Sequence, residues 1–115
     1  DYHLRDINAL FVEHFASAEE LRGKGVGSAV MNSLLERSGD SLVVLEVEPP
    51  EDELSRRRVQ LYRRLGFTLN DGSYFQPPFY GNPKPLPLML MSTRPLSASE
   101  FASTAASIHR NVYKA

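Results

Sequence analysis

The chain contains no cysteine. That removes disulfides, thiolate metal sites and cysteine nucleophiles together, and it is compatible with a reducing cytoplasm. Excess charge of either sign is lacking: 13 Lys and Arg stand against 14 Asp and Glu, a formal net charge of −1 at pH 7. No global field therefore recruits nucleic acid or an anionic membrane. Long apolar runs are missing as well. An uninterrupted stretch such as Leu42, Val43, Val44 and Leu45 is far short of the roughly 20 residues a membrane helix needs. Asp1, Tyr2, His3, Leu4, Arg5 and Asp6 form no signal-peptide apolar segment, and the absence of an initial Met points to processing or a fragment. His3, His14 and His109 are too scattered for a metal reading. There is no internal repeat and no low-complexity tract. With 115 residues, a single domain over 1–115 is expected.

What is present has the order strand, helix, strand. Residues 10–16, with Leu10, Phe11, Val12 and Phe15, are rich in β-formers and read as a strand. After a short polar stretch come Arg22, Gly23, Lys24, Gly25, Val26, Gly27 and Ser28. From there Val26, Ala29, Val30, Leu34 and Arg37 follow a 3.6-residue period, so the glycines open an amphipathic helix that Gly39 ends. Residues 41–47 form a nearly continuous apolar run with three valines, the pattern of a strand covered on both faces. The unit is a βαβ with parallel pairing. Glu51, Asp52 and Glu53 then lead a second helix that carries Leu54, Val59, Leu61, Tyr62 and Leu65, has arginines late, and ends at Gly66, matching its own dipole.

Residues 67–69 and 74–76 read as short strands around a turn at Asn70, Asp71 and Gly72, residues 81–87 as a loop, and residues 88–92 as a closing strand. Ser97 and Glu100 form a capping box for a C-terminal helix over 97–113, with Phe101, Ala105, Ile108 and Val112 on one face.

The glycine segment between strand and helix is where backbone N–H groups can point at a phosphate. A Cβ there would keep a diphosphate from the main chain. The orphan N–H groups of the helix's first turn, at its positive dipole end, bind the anion, and Arg22 and Lys24 add charge from the rim. Three other readings compete. A Walker loop needs Lys-Ser or Lys-Thr after the last glycine, whereas Ser28 and Ala29 follow Gly27. A dinucleotide fingerprint would use Gly23, Gly25 and Glu46, but Ser28 replaces its third glycine and the chain is short for a two-half sheet. A glycine turn without a ligand is the third.

A second segment, Leu61, Tyr62, Arg63, Arg64, Leu65, Gly66 and Phe67, lies on the helix after the apolar strand. Together with Arg22, Gly25 and Gly27 it resembles motifs A and B of the GNAT superfamily of acetyl-CoA-dependent N-acetyltransferases, over about residues 10–92. The resemblance implies an α/β (α+β) GNAT acyl-CoA N-acyltransferase fold, a mixed sheet flanked by helices, with N-terminal strands missing from this chain. The missing part would have been removed, lie on a separate N-terminal fragment, or come from a neighbouring copy in a homo-oligomer. It implies acetyl-CoA as co-substrate, no metal, the pyrophosphate on the first turn after Gly23, and the pantetheine arm beside Phe15, Ala16 and Ser17.

Acetyl transfer from a thioester to an amine needs a free amine lone pair, an oxyanion donor and a proton for the thiolate. The resemblance assigns Tyr62 as general acid toward the CoA sulfur and the backbone near Phe15 to the thioester carbonyl. Tyr62 reads alternatively as a core tyrosine on the apolar face with Leu61 and Leu65. Glu46, in an apolar strand where a carboxylate is desolvated, and Glu13, on the same strand face as Phe15, are the alternative bases. Ser55 stands where the family often has an asparagine against the coenzyme. The arginines around Arg57 read as a solvated helix face. The acceptor is expected to be a small-molecule or peptide primary amine, with Tyr74, Phe75, Phe79 and Tyr80 walling its pocket and nearby carboxylates favouring a cation. Without cysteine, transfer is direct. The reading from another class is a non-catalytic acyl-CoA-binding or interaction module on the same scaffold.

Overall fold

In a computed structural model, residues 2–12, 26–78 and 83–114 are described. Strand β1 (Tyr2–Leu4) turns back antiparallel onto β2 (Ala9–Val12), with Tyr2 opposite Phe11. The turn is made by Asn8 at φ 52°, a left-handed conformation that asparagine tolerates better than most residues. Three residues are too few to display an alternation, so β1 is invisible in the sequence pattern. Of the strand expected over 10–16, the structure describes β2; residues 13–16 lie outside the described residues.

Helix α1 (Val26–Ser38) ends at Gly39, φ 61°, and leads into β3 (Leu42–Val47), which pairs parallel with β2 through Ala9–Leu42 to Val12–Leu45. The βαβ unit read from the sequence is therefore present. Helix α2 (Glu53–Arg64) starts at a capping box in which Asp52 accepts from the Ser55 N–H at 2.8 Å and Ser55 Oγ accepts from the Asp52 N–H at 3.1 Å. It ends in a Schellman motif. Gly66, at φ 103°, donates to the Arg63 carbonyl at 3.0 Å, and Phe67 N–H donates to the Tyr62 carbonyl at 3.0 Å. The hydrophobic contact that accompanies this motif is the Phe67 ring edge against Tyr62, centroids 5.9 Å apart.

Strands β4 (Thr68–Leu69) and β5 (Tyr74–Gln76) both pair antiparallel with β6 (Leu86–Ser92). Residues 70–72, expected as a turn between two strands, do not fold one strand back on the other. They belong to an excursion along one edge of β6: Leu69 faces Met91 and Tyr74 faces Leu88, so five steps on one side match three on the other. Buried Asn70 holds the excursion, donating to the Leu90 carbonyl at 3.1 Å and Ser92 Oγ at 2.9 Å, and accepting from Leu96 N–H at 3.1 Å. Gly72 lets the loop approach Phe101 closely, since a Cβ there would sit 2.7 Å from its ring.

Strand β6 begins at Leu86, within the segment read as a loop. Pro87 is tolerated because it lies beyond the last β3 pairing, Val47 with Met89, where no N–H is required. The sheet order is β1-β2-β3-β6-β4, with β5 also on β6.

The capping box of Ser97 and Glu100 opens α3 (Ala98–Ile108) as expected. The last turn is not α-helical: His109–Tyr113 is π-helical. Phe101, Ala105, Ile108 and Val112 pack on the sheet as the periodicity predicted. Alternate residues of β3 thus feed two cores: Val43, Leu45 and Val47 under α1 and α2, and Leu42 and Val44 under α3.

Candidate functional site

The parallel pair β2 and β3 defines one end of the sheet, beyond the carboxyl ends of its strands, where open α/β sheets place ligands. Helix α1 begins at that end with Val26, Gly27 and Ser28, and its first turn carries no acidic side chain. Its leading N–H groups and positive dipole end are therefore not neutralised from within the helix. Gly27 and Ser28, two of the residues expected to approach the diphosphate, stand in that turn. Arg22, Gly23, Lys24 and Gly25 fall outside the described residues, as do Glu13, Phe15, Ala16 and Ser17.

Glu46 lies at the same end, on β3 opposite Leu90. It is half-buried and points to the α3 face. Its Oε2 accepts from Tyr74 Oη at 2.5 Å and its Oε1 from Tyr113 Oη at 2.6 Å. Gln76 Nε2 donates to Tyr113 Oη at 2.8 Å. Burial of Tyr74 pushes its phenol well above the usual tyrosine range, and the neighbouring Glu46 charge and hydrogen bond push it further. Tyr74 thus stays protonated and acts as a fixed donor. The sequence pattern had set Tyr74 on a pocket wall; here it is buried against Glu46. Phe75 is exposed and packs on His109, centroids 5.1 Å apart. Phe79 and Tyr80 are outside the described residues.

Tyr62 is on the other face of the sheet, 5% exposed, in the core with Val43, Leu45 and Val47. The structure does not bring Tyr62 and Glu46 side by side, because one is on α2 beneath the sheet and the other on the face that α3 covers. Ser55 is buried and spent on its capping box. Of the arginines, Arg57 pairs with Glu53 at 2.6 Å on an exposed face, as a solvated helix surface should, and Arg58 reaches Glu48 at 3.3 Å. Sequence reasoning missed Tyr113. Its only sequence signal was its place on the Ile108 and Val112 side of the last helix, and the π turn shifts that face.

A cleft of about 320 Å³ lined by His3, Asn8, Leu34, Arg37 and Ser41 lies at the opposite end of the sheet, by the last turn of α1. It touches none of these groups. Among the described residues no His, Asp and Glu group is placed to hold a metal ion, and no helix is long and apolar enough to cross a membrane.

The comparisons agree with this architecture. The family model for the acetyltransferase (GNAT) family matches residues 2–67, so the chain belongs to the GNAT acetyltransferase family. A solved structure assigned to the GNAT acetyltransferase family, from Bacteroides thetaiotaomicron, is 37% identical and superposes with a TM-score of 0.77, covering 91% of this chain. This chain spans 60% of that one. No curated protein matches.

Proposed function

We propose that the chain is the coenzyme-binding part of an N-acetyltransferase that moves an acetyl group directly from acetyl-CoA to a primary amine. The observation that carries this is that an acid-free α1 opening and the carboxylate of Glu46 both stand at the end of the sheet beyond the parallel β2–β3 pair, on its two faces. Family membership makes acyl transfer the expected chemistry.

In this reading Arg22, Gly23, Lys24, Gly25, Val26, Gly27 and Ser28 cradle the diphosphate, and Phe15, Ala16 and Ser17 run beside the pantetheine arm. The amine nitrogen attacks the thioester carbonyl carbon; the C–N bond forms and the C–S bond breaks. Tyr62, from the α2 face, supplies a proton to the departing sulfur, and Glu13, or Glu46 from the α3 face, takes one from the amine. The acceptor is a small-molecule or peptide amine, and a cysteine-free chain suits the cytoplasm. A separate N-terminal fragment or a second copy would complete the acceptor side.

The rival reading, a non-catalytic acyl-CoA-binding or interaction module, is favoured by the burial of Tyr62 in the core, on the face opposite Glu46. Calorimetric titration with CoA, followed by thiol release from acetyl-CoA with a panel of amines, separates the two. Binding with turnover supports the enzyme; binding without it supports the module; no binding sinks both. Tyr62→Phe is expected to lower the rate by about 10²-fold or more while leaving CoA affinity nearly unchanged. An unchanged rate would remove Tyr62 from the reaction.

A further inference from the structure

Tyr113 is not at Glu46 by default. The C-terminal helix turns from α to π over His109–Tyr113. A π turn holds more residues than an α turn, so it rotates the side chains at its end relative to a continued α-helix; such turns are rare and concentrate at functional sites. His109 secures this one to β5. Its ring packs 5.4 Å from Tyr74 and 5.1 Å from Phe75, and its Nε2 is 2.9 Å from the Phe75 carbonyl. Gln76, also on β5, donates to Tyr113 Oη, so the phenol oxygen accepts from β5 while its hydrogen is directed at Glu46 Oε1.

We infer that Tyr113 is a positioning residue which, with Tyr74, fixes the aim of Glu46 as the carboxylate that receives the acceptor's proton. This rests on the acetyl-transfer reading, with Glu46 rather than Glu13 as the base. Bonds to both oxygens, one from β5 and one from the C-terminal turn, fix the plane and direction of the Glu46 carboxylate. Phenol-to-carboxylate bonds of this length are charge-assisted and roughly twice as strong as neutral ones. Two phenols achieve this without a positive charge, which an arginine partner would bring and which would repel a cationic amine. Occupation by two donors does not exhaust Glu46, because a carboxylate has about four acceptor sites. One remains on each oxygen. The proton then passes from the amine nitrogen to a free site on Glu46, and neither phenol changes its own protonation.

Among the described residues, the titratable groups facing Glu46 are Tyr74 from β5 and Tyr113 from the C-terminal turn, with His109 behind Tyr74. Strand β6 sets apolar Leu90 opposite. The deciding variant is Tyr113→Phe in the whole chain, with Tyr74→Phe as the second. kcat and KM for the amine are measured separately, with Glu46→Gln as the reference for loss of the base. Losing a donor should lower kcat about tenfold, the loss of one hydrogen bond to a charged group, at nearly unchanged KM and CoA affinity.

A kcat that stays put in both variants overturns the inference, since the phenols then do not aim the carboxylate. A Glu46→Gln variant that keeps the parent kcat also overturns it, since Glu46 is then not the proton acceptor. Coenzyme titration of the parent chain tests the broader reading separately. Binding without transfer to any amine sinks this inference and leaves the binding module; absence of binding sinks the broader reading itself.

Discussion

Val43, Leu45 and Val47 leave β3 for an apolar core under α1 and α2, whereas Leu42, Val44 and Glu46 leave the same strand for the face that α3 covers. The first face is closed by packing and by helix ends that satisfy their own backbone: the Asp52 box at one end of α2, the Gly66 motif at the other. The second is tied by polar groups far apart in the chain. Tyr113 bonds Glu46, and Asp6 accepts from Ser107 at 2.6 Å and from Arg110 at 2.5 Å. One face is therefore assembled by local rules plus hydrophobic burial. The other depends on non-local hydrogen bonds that must be satisfied once buried.

The largest expected effect breaks the first face at its seam. Phe67→Ala removes a 3%-exposed ring from both the core and the Schellman contact with Tyr62, and should cost about 3–5 kcal/mol in urea unfolding. A loss below about 1 kcal/mol would mean that the contact contributes little. On the second face, Glu46→Ala leaves the buried Tyr74 hydroxyl without its acceptor, a loss of about 1–3 kcal/mol. It should also speed amide hydrogen exchange in residues 109–114; unaltered exchange there would show that the C-terminal turn is held by packing alone. Gly66→Ala forces a Cβ into a positive-φ position with no steric neighbour. The cost, about 1–2 kcal/mol, is purely one of backbone conformation, and thermal unfolding reads it.

The smallest effects per group are electrostatic, and they sharpen the contrast through pH. Hydrogen bonds from Ser107 and Arg110 hold Asp6 below its ordinary value of 3.8, and the Ser55 backbone N–H does the same for Asp52. The Ser97 N–H, and then Arg94, hold Glu100 below 4.5. Lowered carboxylates contribute stability that is present above those ordinary values and is lost as pH falls through the depressed ones. Tyr74 is shifted the other way, so its contribution is full below the ordinary value of 10.0 and declines as pH rises beyond it. The melting temperature should therefore fall at both extremes. Tyr74→Phe should flatten the alkaline fall only; an unchanged alkaline limb would separate Tyr74 from it.

Much of the first face was legible before any coordinates. The helix that Gly39 ends, the unbroken run of β3, and the Leu65, Gly66 and Phe67 stop each state a local preference that survived folding, whereas in the expected α1 stripe Ala29 is exposed and Met31 takes the buried place. The capping box of Ser97 and Glu100 did the same for α3. The candidate site was legible only as residue types in order. Glu46 stood out as a carboxylate in an apolar strand, but its partners lie 28 and 67 positions away, and no periodicity spans such distances. Strand β1 was too short to show its alternation. The excursion at Asn70 looked like a turn because its turn-forming residues are those that also suit a break in pairing.

What the chain's own order of residues determined is where helices begin and end, which strands are buried on both sides, and that a glycine-opened helix comes after β2. Those choices depend on neighbours within a turn or two, where side-chain sterics and cap geometry act directly. Tertiary structure alone decided that β4 and β5 share one edge of β6, that the last helical turn widens, and that Glu46 meets two phenols. Each of these is settled by which distant polar group can satisfy another once water is excluded, a condition that exists only after the chain has closed on itself.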